Sequence, residues 1–360
     1  MAIFSKKILG IDIGTSAVKI VELTRRGERI YLENYAEIKS EAFYTKAVSF
    51  RSFEKNILSF SLEEIAFAIK SVLAEAKIKT RRCIFTIPDF ATFFITLELP
   101  PMSEKEIPDA VKFEARQYVP LPLSEVTLDW KVIEGVYIGK EKTKLKILLV
   151  AVPNELVNQY QSIATFSNLE LTFLEAEVFS LVKSLIPEDE KRVIAIVDLG
   201  LQSTTCNIID KRVLKISHSF DISANQFTDQ IARGLMVEPK IAETLKRKYG
   251  VLDVEGPGLK GRPSVKNILL PLVDELVKEV ERIFAGFYYS EGKEVQKIIL
   301  SGGSTLLPGL VEYFKNYFKI EVEIANPFSK IFYPPILEQK LKEMGPSYTI
   351  AVGAALEGLK

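Results

Sequence analysis

The sequence is poor in the residues that usually build disulfides and metal sites. Its 360 residues include two cysteines, one histidine and one tryptophan. Cys83 and Cys206 lie far apart, and no CxxC pair occurs. A disulfide framework is therefore excluded and a cysteine-ligated metal is disfavoured, since such cysteine usage is typical of a reducing cytoplasm.

Net charge and long apolar runs are also absent. Lysine plus arginine and aspartate plus glutamate number 47 each, so the charge does not indicate nucleic acid or an anionic membrane as a partner. The longest apolar run is ILLVAV, residues 147–152, far shorter than the roughly 20 residues of a spanning helix. The N-terminal MAIFSKK lacks the apolar core of a signal peptide. We therefore expect a cytoplasmic protein that reaches a membrane only through a partner.

What is present is the composition of a folded α/β protein. Apolar residues make up 47% and charged residues 26% of the chain, enough for two domains or one bilobal body. Strand-like runs alternate with helical patterns throughout. The charged segment 187–192 is the best candidate for a boundary between two lobes, and a strand-dominated block occupies about 85–150.

Three local signals predict where helices begin. Ser61 and Glu64 form the pattern of a capping box, as do Ser103 and Glu106. A long helix is predicted from Pro271 onward, because apolar residues then recur at helical spacing.

Three glycine turns carry the functional signal. GIDIGTSAVK (10–19) and IVDLGLQSTT (196–205) both run from an apolar strand through Asp-x-Gly into a hydroxyl-rich turn, and SGG (301–303) follows a third strand. One such turn is ordinary turn chemistry, but three in this order favour nucleotide binding. Turn amides and hydroxyls would bind phosphates from both sides, and the two aspartates suit a hydrated Mg²⁺.

The order of these motifs, followed by AVGAAL (351–356), resembles the phosphate-1, phosphate-2, adenosine and second connecting motifs of the actin/Hsp70-like ATPase fold. The closest resemblance is to the PilM family of type IV pilus assembly, which is related to the division protein FtsA. Residues 113–132, 242–250 and 307–328 resemble further segments of that family.

The resemblance implies a bilobal α/β fold of two ribonuclease H-like halves with an inserted subdomain, called 1C. The first lobe (1A) would comprise residues 1–186 and 337–360, with 1C at about 85–150. The second lobe (2A) would span 187–336, with a 2B insert at about 225–292.

Carried over by position, the resemblance also implies a site for ATP and Mg²⁺. Asp12 and Asp198 would hold Mg²⁺ through water, and Glu177 would position the attacking water, although an ordinary charged residue at a strand end is an equally good interpretation. The implied nucleotide contacts are Gly14, Thr15, Ser16, Lys19, Gly200, Ser203, Thr204, Asn225, Glu243, Lys246, Gly302, Gly303 and Ser304.

One position departs from the family pattern. The usual Gly-Gly-Asn of the second lobe is here Ser223-Ala224-Asn225. Since glycine allows the backbone to approach a nucleotide closely, this change lowers the expectation of turnover more than that of the fold.

The implied function is an ATP-binding scaffold with at most slow ATPase activity. ATP would set the conformation and the affinity for the cytoplasmic N-terminal segment of a PilN-like membrane protein, bound in a groove between 1A and 1C. Other pilus assembly proteins and self-association are further expected contacts. The aromatic residues of the 85–150 block are mostly core, and some of them are candidates to line that groove: Phe93, Phe94, Phe113, Tyr118 and Trp130.

Two other classes remain open. A small-molecule kinase of the same fold would need a catalytic carboxylate and a substrate pocket, for which the sequence offers no convincing candidate. An FtsA-like filament protein would end in a membrane-binding helix, whereas this sequence stops at EGLK. His218 lies in an alternating strand and is better interpreted as a surface histidine than as part of a catalytic triad.

Overall fold

The computed structural model describes residues 6–40, 58–135, 144–253 and 263–360. The strands within these ranges are β1 (Lys6–Ile13), β2 (Ala17–Arg26), β3 (Arg29–Lys39), β4 (Arg82–Ile87), β5 (Phe93–Leu99), β6 (Val126–Glu134), β7 (Leu145–Pro153), β8 (Glu170–Ala176), β9 (Val193–Leu199), β10 (Thr204–Asp210), β11 (Val213–Phe220), β12 (Lys297–Ser301) and β13 (Glu321–Ile324). The helices are α1 (Leu62–Glu75), α2 (Ile107–Tyr118), α3 (Asn154–Phe166), α4 (Glu177–Leu185), α5 (Ala224–Leu235), α6 (Pro239–Tyr249), α7 (Val265–Glu291), α8 (Leu310–Phe318) and α9 (Glu338–Gly358).

Two five-stranded sheets share one topology. The first sheet has the order β3-β2-β1-β4-β8 and the second β11-β10-β9-β12-β13. In each, three antiparallel strands joined by hairpins are followed by two parallel strands. The two Asp-x-Gly turns therefore occupy the same place in two similar sheets.

A smaller sheet, β5-β7-β6, carries α2 on one face. It lies within the strand-dominated block, although β4, at the start of that block, belongs to the first sheet. Phe94 of β5 contacts Phe179 of α4 edge to face, with ring centroids 6.0 Å apart. Lys215 of β11 pairs with Glu134 of β6 at 2.9 Å. The small sheet therefore contacts both of the larger units.

Helices α4 and α9 pack against the second sheet in an apolar layer, and α9 also packs against β1, β2 and β4 of the first sheet. The buried side chains of this layer come from α4, from α9 and from one face of β9, β10 and β12. Along β9, Ile194 and Ile196 point into this layer, and by strand alternation Asp198 lies on the same face at the carboxyl end. The apolar layer on this face of β9 thus continues into a polar residue, Asp198, at the end of the strand.

Helix beginnings differ from the sequence predictions at two places. Ser61 and Glu64 do form a reciprocal capping box at α1. The Glu106 carboxylate accepts from the Ser103 amide at 2.8 Å, but α2 begins only after it, at Ile107. The prediction that the long helix begins at Pro271 is wrong.

That helix, α7, begins at Val265, where the Ser264 hydroxyl accepts from the Asn267 amide, and Pro271 lies inside it. The serine cap, which lies upstream of the proline, therefore sets the residue at which α7 starts. The position of a proline does not show how far upstream a helix extends. No helix among the residues described is long and apolar enough to cross a membrane.

Candidate functional site

The first hairpin turn lies between β1 and β2. Gly14 donates its amide to the Ala17 carbonyl at 2.9 Å, which leaves Thr15 and Ser16 at the tip. Asp12 is buried beside Thr86, whose hydroxyl lies 3.5 Å from an Asp12 oxygen. Lys19 lies directly across the hairpin from Asp12. The turn thus presents two hydroxyls beside a carboxylate and an ammonium group.

The second hairpin turn, between β9 and β10, closes in the same way. Gly200 donates its amide to the Ser203 carbonyl at 3.0 Å. Asp198 is half-buried and lies between Thr205 of β10 and Ser301 of β12. The Thr204 hydroxyl donates to the Ile222 carbonyl at 2.5 Å, so it braces the turn from inside.

The amino end of α5 is attached to this turn. The amides of Ala224 and Asn225 donate to the carbonyls of Gly200 and Leu201 at 3.2 and 3.1 Å. Ser223 has φ −151°, extended backbone that any residue adopts. Ser223 in place of the expected glycine therefore causes no backbone strain. The remaining difference from glycine is the Cβ atom that each replacement adds beside the turn.

Glu243 and Lys246 form a pair against α5. The Lys246 ammonium is buried and donates to Glu243 at 2.6 Å, to the Thr228 hydroxyl at 2.8 Å and to the Ala224 carbonyl at 3.1 Å. Burial opposes ionisation of Glu243, but the hydrogen bonds from Lys246 and Thr228 outweigh it and lower the pKa of Glu243 to about 2. Burial lowers the pKa of Lys246, and the attraction of Glu243 offsets only part of this effect. The pair holds the start of α5 in place.

The third turn follows β12. Gly302 has φ +92°, and a Cβ there would lie 2.4 Å from the Leu199 carbonyl oxygen, so only glycine fits. Gly303 is exposed, and a Cβ there would make one ordinary contact, with the Ser347 Cβ at 3.7 Å. Ser304 lies next to it, half-buried. The turn is therefore a side-chain-free surface joined to β9, the strand that carries Asp198.

Glu177 lies in a buried polar cluster that the sequence did not reveal. It is the first residue of α4, and its carboxylate accepts from the Asp89 amide at 3.3 Å. Asp89 in turn accepts from the Val178 amide at 3.0 Å and from the Asn207 side-chain amide at 3.3 Å. Asp89 directly follows Pro88 at the end of β4. An acidic residue just after the carboxyl end of a strand was the sequence signal that could have identified it as a candidate functional residue.

The neighbouring carboxylates change the pKa of Asp89. Burial raises the pKa of Asp89 well above its usual range, the charge of Glu177 raises it further, and Asp198 adds a smaller effect in the same direction. Asp89, Glu177 and Asp198 therefore influence one another across the junction between the two sheets. The carboxyl ends of β4, β8 and β9 meet at this point.

The residues present fit Mg-ATP. Carboxylates are the ligands that a hydrated Mg²⁺ prefers, and two glycine turns with hydroxyls suit phosphate oxygens. The bare surface at Gly303 suits a base or ribose, since a side chain there would fill the space. Among the residues described, no group of three or more His, Cys, Asp or Glu side chains could hold a metal ion directly.

A family model described as "Type IV pilus assembly protein PilM" matches residues 10–359. The chain belongs to the PilM family. It is therefore an actin-like protein of pilus assembly, and the resemblance drawn from the glycine motifs is confirmed.

Among curated proteins, relatives are cell division proteins FtsA. That of Streptococcus pneumoniae is 20% identical over 357 residues, covering 88% of this chain and 75% of the relative. That of Pseudomonas aeruginosa is 24% identical over 209 residues, covering 53% of this chain and 48% of the relative. The chain therefore spans three quarters of the first of these relatives and about half of the second.

Solved structures establish the fold. A PilM-PilN type IV pilus biogenesis complex matches with TM-score 0.83 and 24% identity, covering 98% of both chains. EutJ from Carboxydothermus hydrogenoformans matches with TM-score 0.58 and 14% identity, covering 98% of this chain and 89% of the other. MreB5 of Spiroplasma citri bound to ADP matches with TM-score 0.53 and 13% identity, covering 97% and 94%. The predicted bilobal actin/Hsp70-like fold is confirmed, while the boundaries of its lobes and the ligand contacts of the named residues stay predictions.

Proposed function

We propose that this chain binds Mg-ATP between its two large sheets and acts as a cytoplasmic scaffold of type IV pilus assembly. The observation that carries the proposal is the pair of equivalent hairpin turns at Gly14 and Gly200, each preceded by an aspartate at the end of a buried strand. Structural neighbours of the same fold were solved bound to ADP and to AMPPNP, which supports a nucleotide at this place.

Each group has a role in holding the nucleotide. Asp12 and Asp198 hold the hydrated Mg²⁺, whose charge neutralises phosphate oxygens when it is bound. Thr15, Ser16, Lys19 and Ser203 bind phosphates from the two turns, whereas Thr204 acts from inside by fixing the second turn. Gly303 and Ser304 lie under the adenosine, and Glu177 orients water for at most slow hydrolysis.

Asp12→Ala tests the nucleotide site. We expect this variant to stay folded and to lose Mg-ATP binding in calorimetric titration, because the Asp12 carboxylate is proposed to hold the hydrated Mg²⁺ from the first sheet. The matched control is Asp210→Asn, which changes another buried carboxylate at the far end of β10. Retention of ATP by the purified Asp12→Ala variant would show that Asp12 is not part of the nucleotide site.

We further propose that the nucleotide state sets the affinity for the N-terminal segment of a PilN-like membrane protein, which brings the chain to the inner membrane. A PilM-PilN complex is a solved neighbour over nearly the whole chain. The proposed site is the expected groove between 1A and 1C, with contacts from α2, on which Phe113 and Tyr118 are 61% and 55% exposed while Ile107, Val111 and Ala115 are buried. Exposed aromatics next to a small sheet suit an extended peptide.

Fluorescence anisotropy with a labelled PilN-like N-terminal peptide tests this contact. Phe113→Ala and Tyr118→Ala should each weaken binding about tenfold, as is usual when an aromatic anchor is removed. Tyr289→Ala is the control, because Tyr289 is 94% exposed on α7. An equal loss of peptide affinity in all three variants would show that the peptide binds elsewhere.

The FtsA relatives favour a second candidate function, self-association into filaments. Sedimentation of the purified chain with Mg-ATP distinguishes the two. A pelleting fraction that grows with ATP would support filaments, and a species of constant size would support the scaffold.

A further inference from the structure

Asp89 and Glu177 hold each other in place. Glu177 accepts from the Asp89 amide, and Asp89 accepts from the amide of Val178, the second residue of α4. The residue before the helix is Ala176, which has no side-chain acceptor, so the carboxylate of Asp89, from the turn that follows β4, serves as the cap of α4. Capping by a carboxylate is favourable because the first amides of a helix point outward and its amino end is electropositive.

The other oxygen of Asp89 reaches the second sheet. It accepts from the Asn207 side chain on β10, and Asp89, Glu177 and Asn207 are all buried. Asn207 lies three residues after Thr204, so it moves with the turn that contains Gly200 and Ser203. One carboxylate therefore contacts the start of α4, which carries Glu177, and the strand that carries the second turn.

A relative shift of the two sheets would break this contact. Buried polar groups are costly when they lose their partners, so the three side chains favour a single arrangement of β4, α4 and β10. A ligand that draws the two turns together would also change the position of β10 relative to β4 and α4, because β10 continues directly from the second turn.

We propose that Asp89 is a positioning residue that joins Glu177 to the second sheet, so that closure of the sheets around nucleotide sets the orientation of Glu177. This inference rests on the proposed function, because it needs a nucleotide that binds both turns. It assigns a role to Asp89 and Asn207 in addition to the residues that contact the ligand.

A double-mutant cycle of Asp89→Ala and Asn207→Ala tests the link through Mg-ATP affinity. Each single variant should weaken Mg-ATP binding by about three- to tenfold, the range expected for one hydrogen bond, and the double variant should be no weaker than the worse single. Asp89→Asn should restore affinity to within about twofold, because an asparagine still accepts from Val178 and can pair with a rotated Asn207 amide. Asp210→Asn serves again as the buried-carboxylate control.

Amide hydrogen exchange of the same proteins without nucleotide gives a second readout. Exchange at Val178 should be about tenfold faster in Asp89→Ala and nearly unchanged in Asn207→Ala and Asp89→Asn, since only the first removes the helix cap. General destabilisation would instead speed exchange in every variant.

The outcomes are separable. If the wild-type protein binds no Mg-ATP, the proposed function fails and this inference fails with it. If the wild type binds and the two single effects are additive, are absent, or are not rescued by Asp89→Asn, the positioning role alone is overturned.

Discussion

Gly353 of α9 lies directly against the backbone of Ser180 in α4. A Cβ at Gly353 would be 1.9 Å from the Ser180 carbonyl oxygen, closer than any side chain permits. The same helix approaches β1, where a Cβ at Gly10 would be 2.0 Å from the Ala351 oxygen. The small residues of AVGAAL therefore allow α9 to pack in direct backbone contact with both neighbours, which fixes α4 and β1 relative to each other.

Gly353→Ala should destabilise the protein by at least about 2 kcal/mol, because overpacking at a backbone contact forces the helices apart. Urea denaturation followed by circular dichroism measures the change. Gly286→Ala is the matched control, since Gly286 lies in α7 with open space around it and alanine there should stabilise by about 1 kcal/mol. Equal stability of the two variants would contradict the close crossing.

Alanine substitutions at Gly302 and Gly303 should have different effects, one on stability and the other on nucleotide binding. Gly302→Ala should lower the melting temperature, because its positive φ and the nearby Leu199 oxygen exclude a Cβ. Gly303→Ala should melt like the wild type yet bind Mg-ATP more weakly, since its Cβ would occupy space proposed for adenosine. Unchanged ATP affinity in Gly303→Ala would place the adenosine elsewhere.

The two thiols should be inert in the folded protein. Burial raises the pKa of Cys83 to about 12, with a smaller contribution from Glu170, and burial raises the pKa of Cys206 to about 12. Only the thiolate is nucleophilic, so a maleimide at about pH 8 should label neither residue in the native state and both in guanidinium. An exposed Lys70→Cys is the positive control, and rapid native labelling of wild type would contradict the burial of the thiols.

Acid should remove the stabilisation that Glu243 provides. Its folded pKa of about 2 lies below the ordinary value of 4.5, so the folded state binds fewer protons than the unfolded chain. The contribution is fully present above about pH 4.5 and is lost as the pH falls toward about 2. The difference in unfolding free energy between wild type and Glu243→Gln should therefore shrink over this window. A constant difference would show that the pKa of Glu243 is not lowered in the folded protein.

Local features made much of this molecule predictable from sequence. An Asp-x-Gly turn, a Ser-Gly-Gly turn and a capping box at Ser61 are each encoded within a few residues, because backbone preference and near-neighbour hydrogen bonds determine them. The order of the glycine turns resembled the motifs of the actin/Hsp70-like fold, and further segments such as 113–132 resembled the PilM family. Helix ends were harder: α7 starts upstream of Pro271 because Ser264 caps it.

The tertiary structure decided which of the predicted site residues make internal hydrogen bonds. Thr204 and Lys246 direct their polar atoms into the protein, and Ser223 adopts extended backbone without strain. The contact of Asp89 with Asn207 joins residues 118 positions apart. No sequence pattern encodes that contact, since it exists only where the turn after β4 packs against β10. The sequence by itself determined the two turns, and the packing of the sheets determined what lies between them.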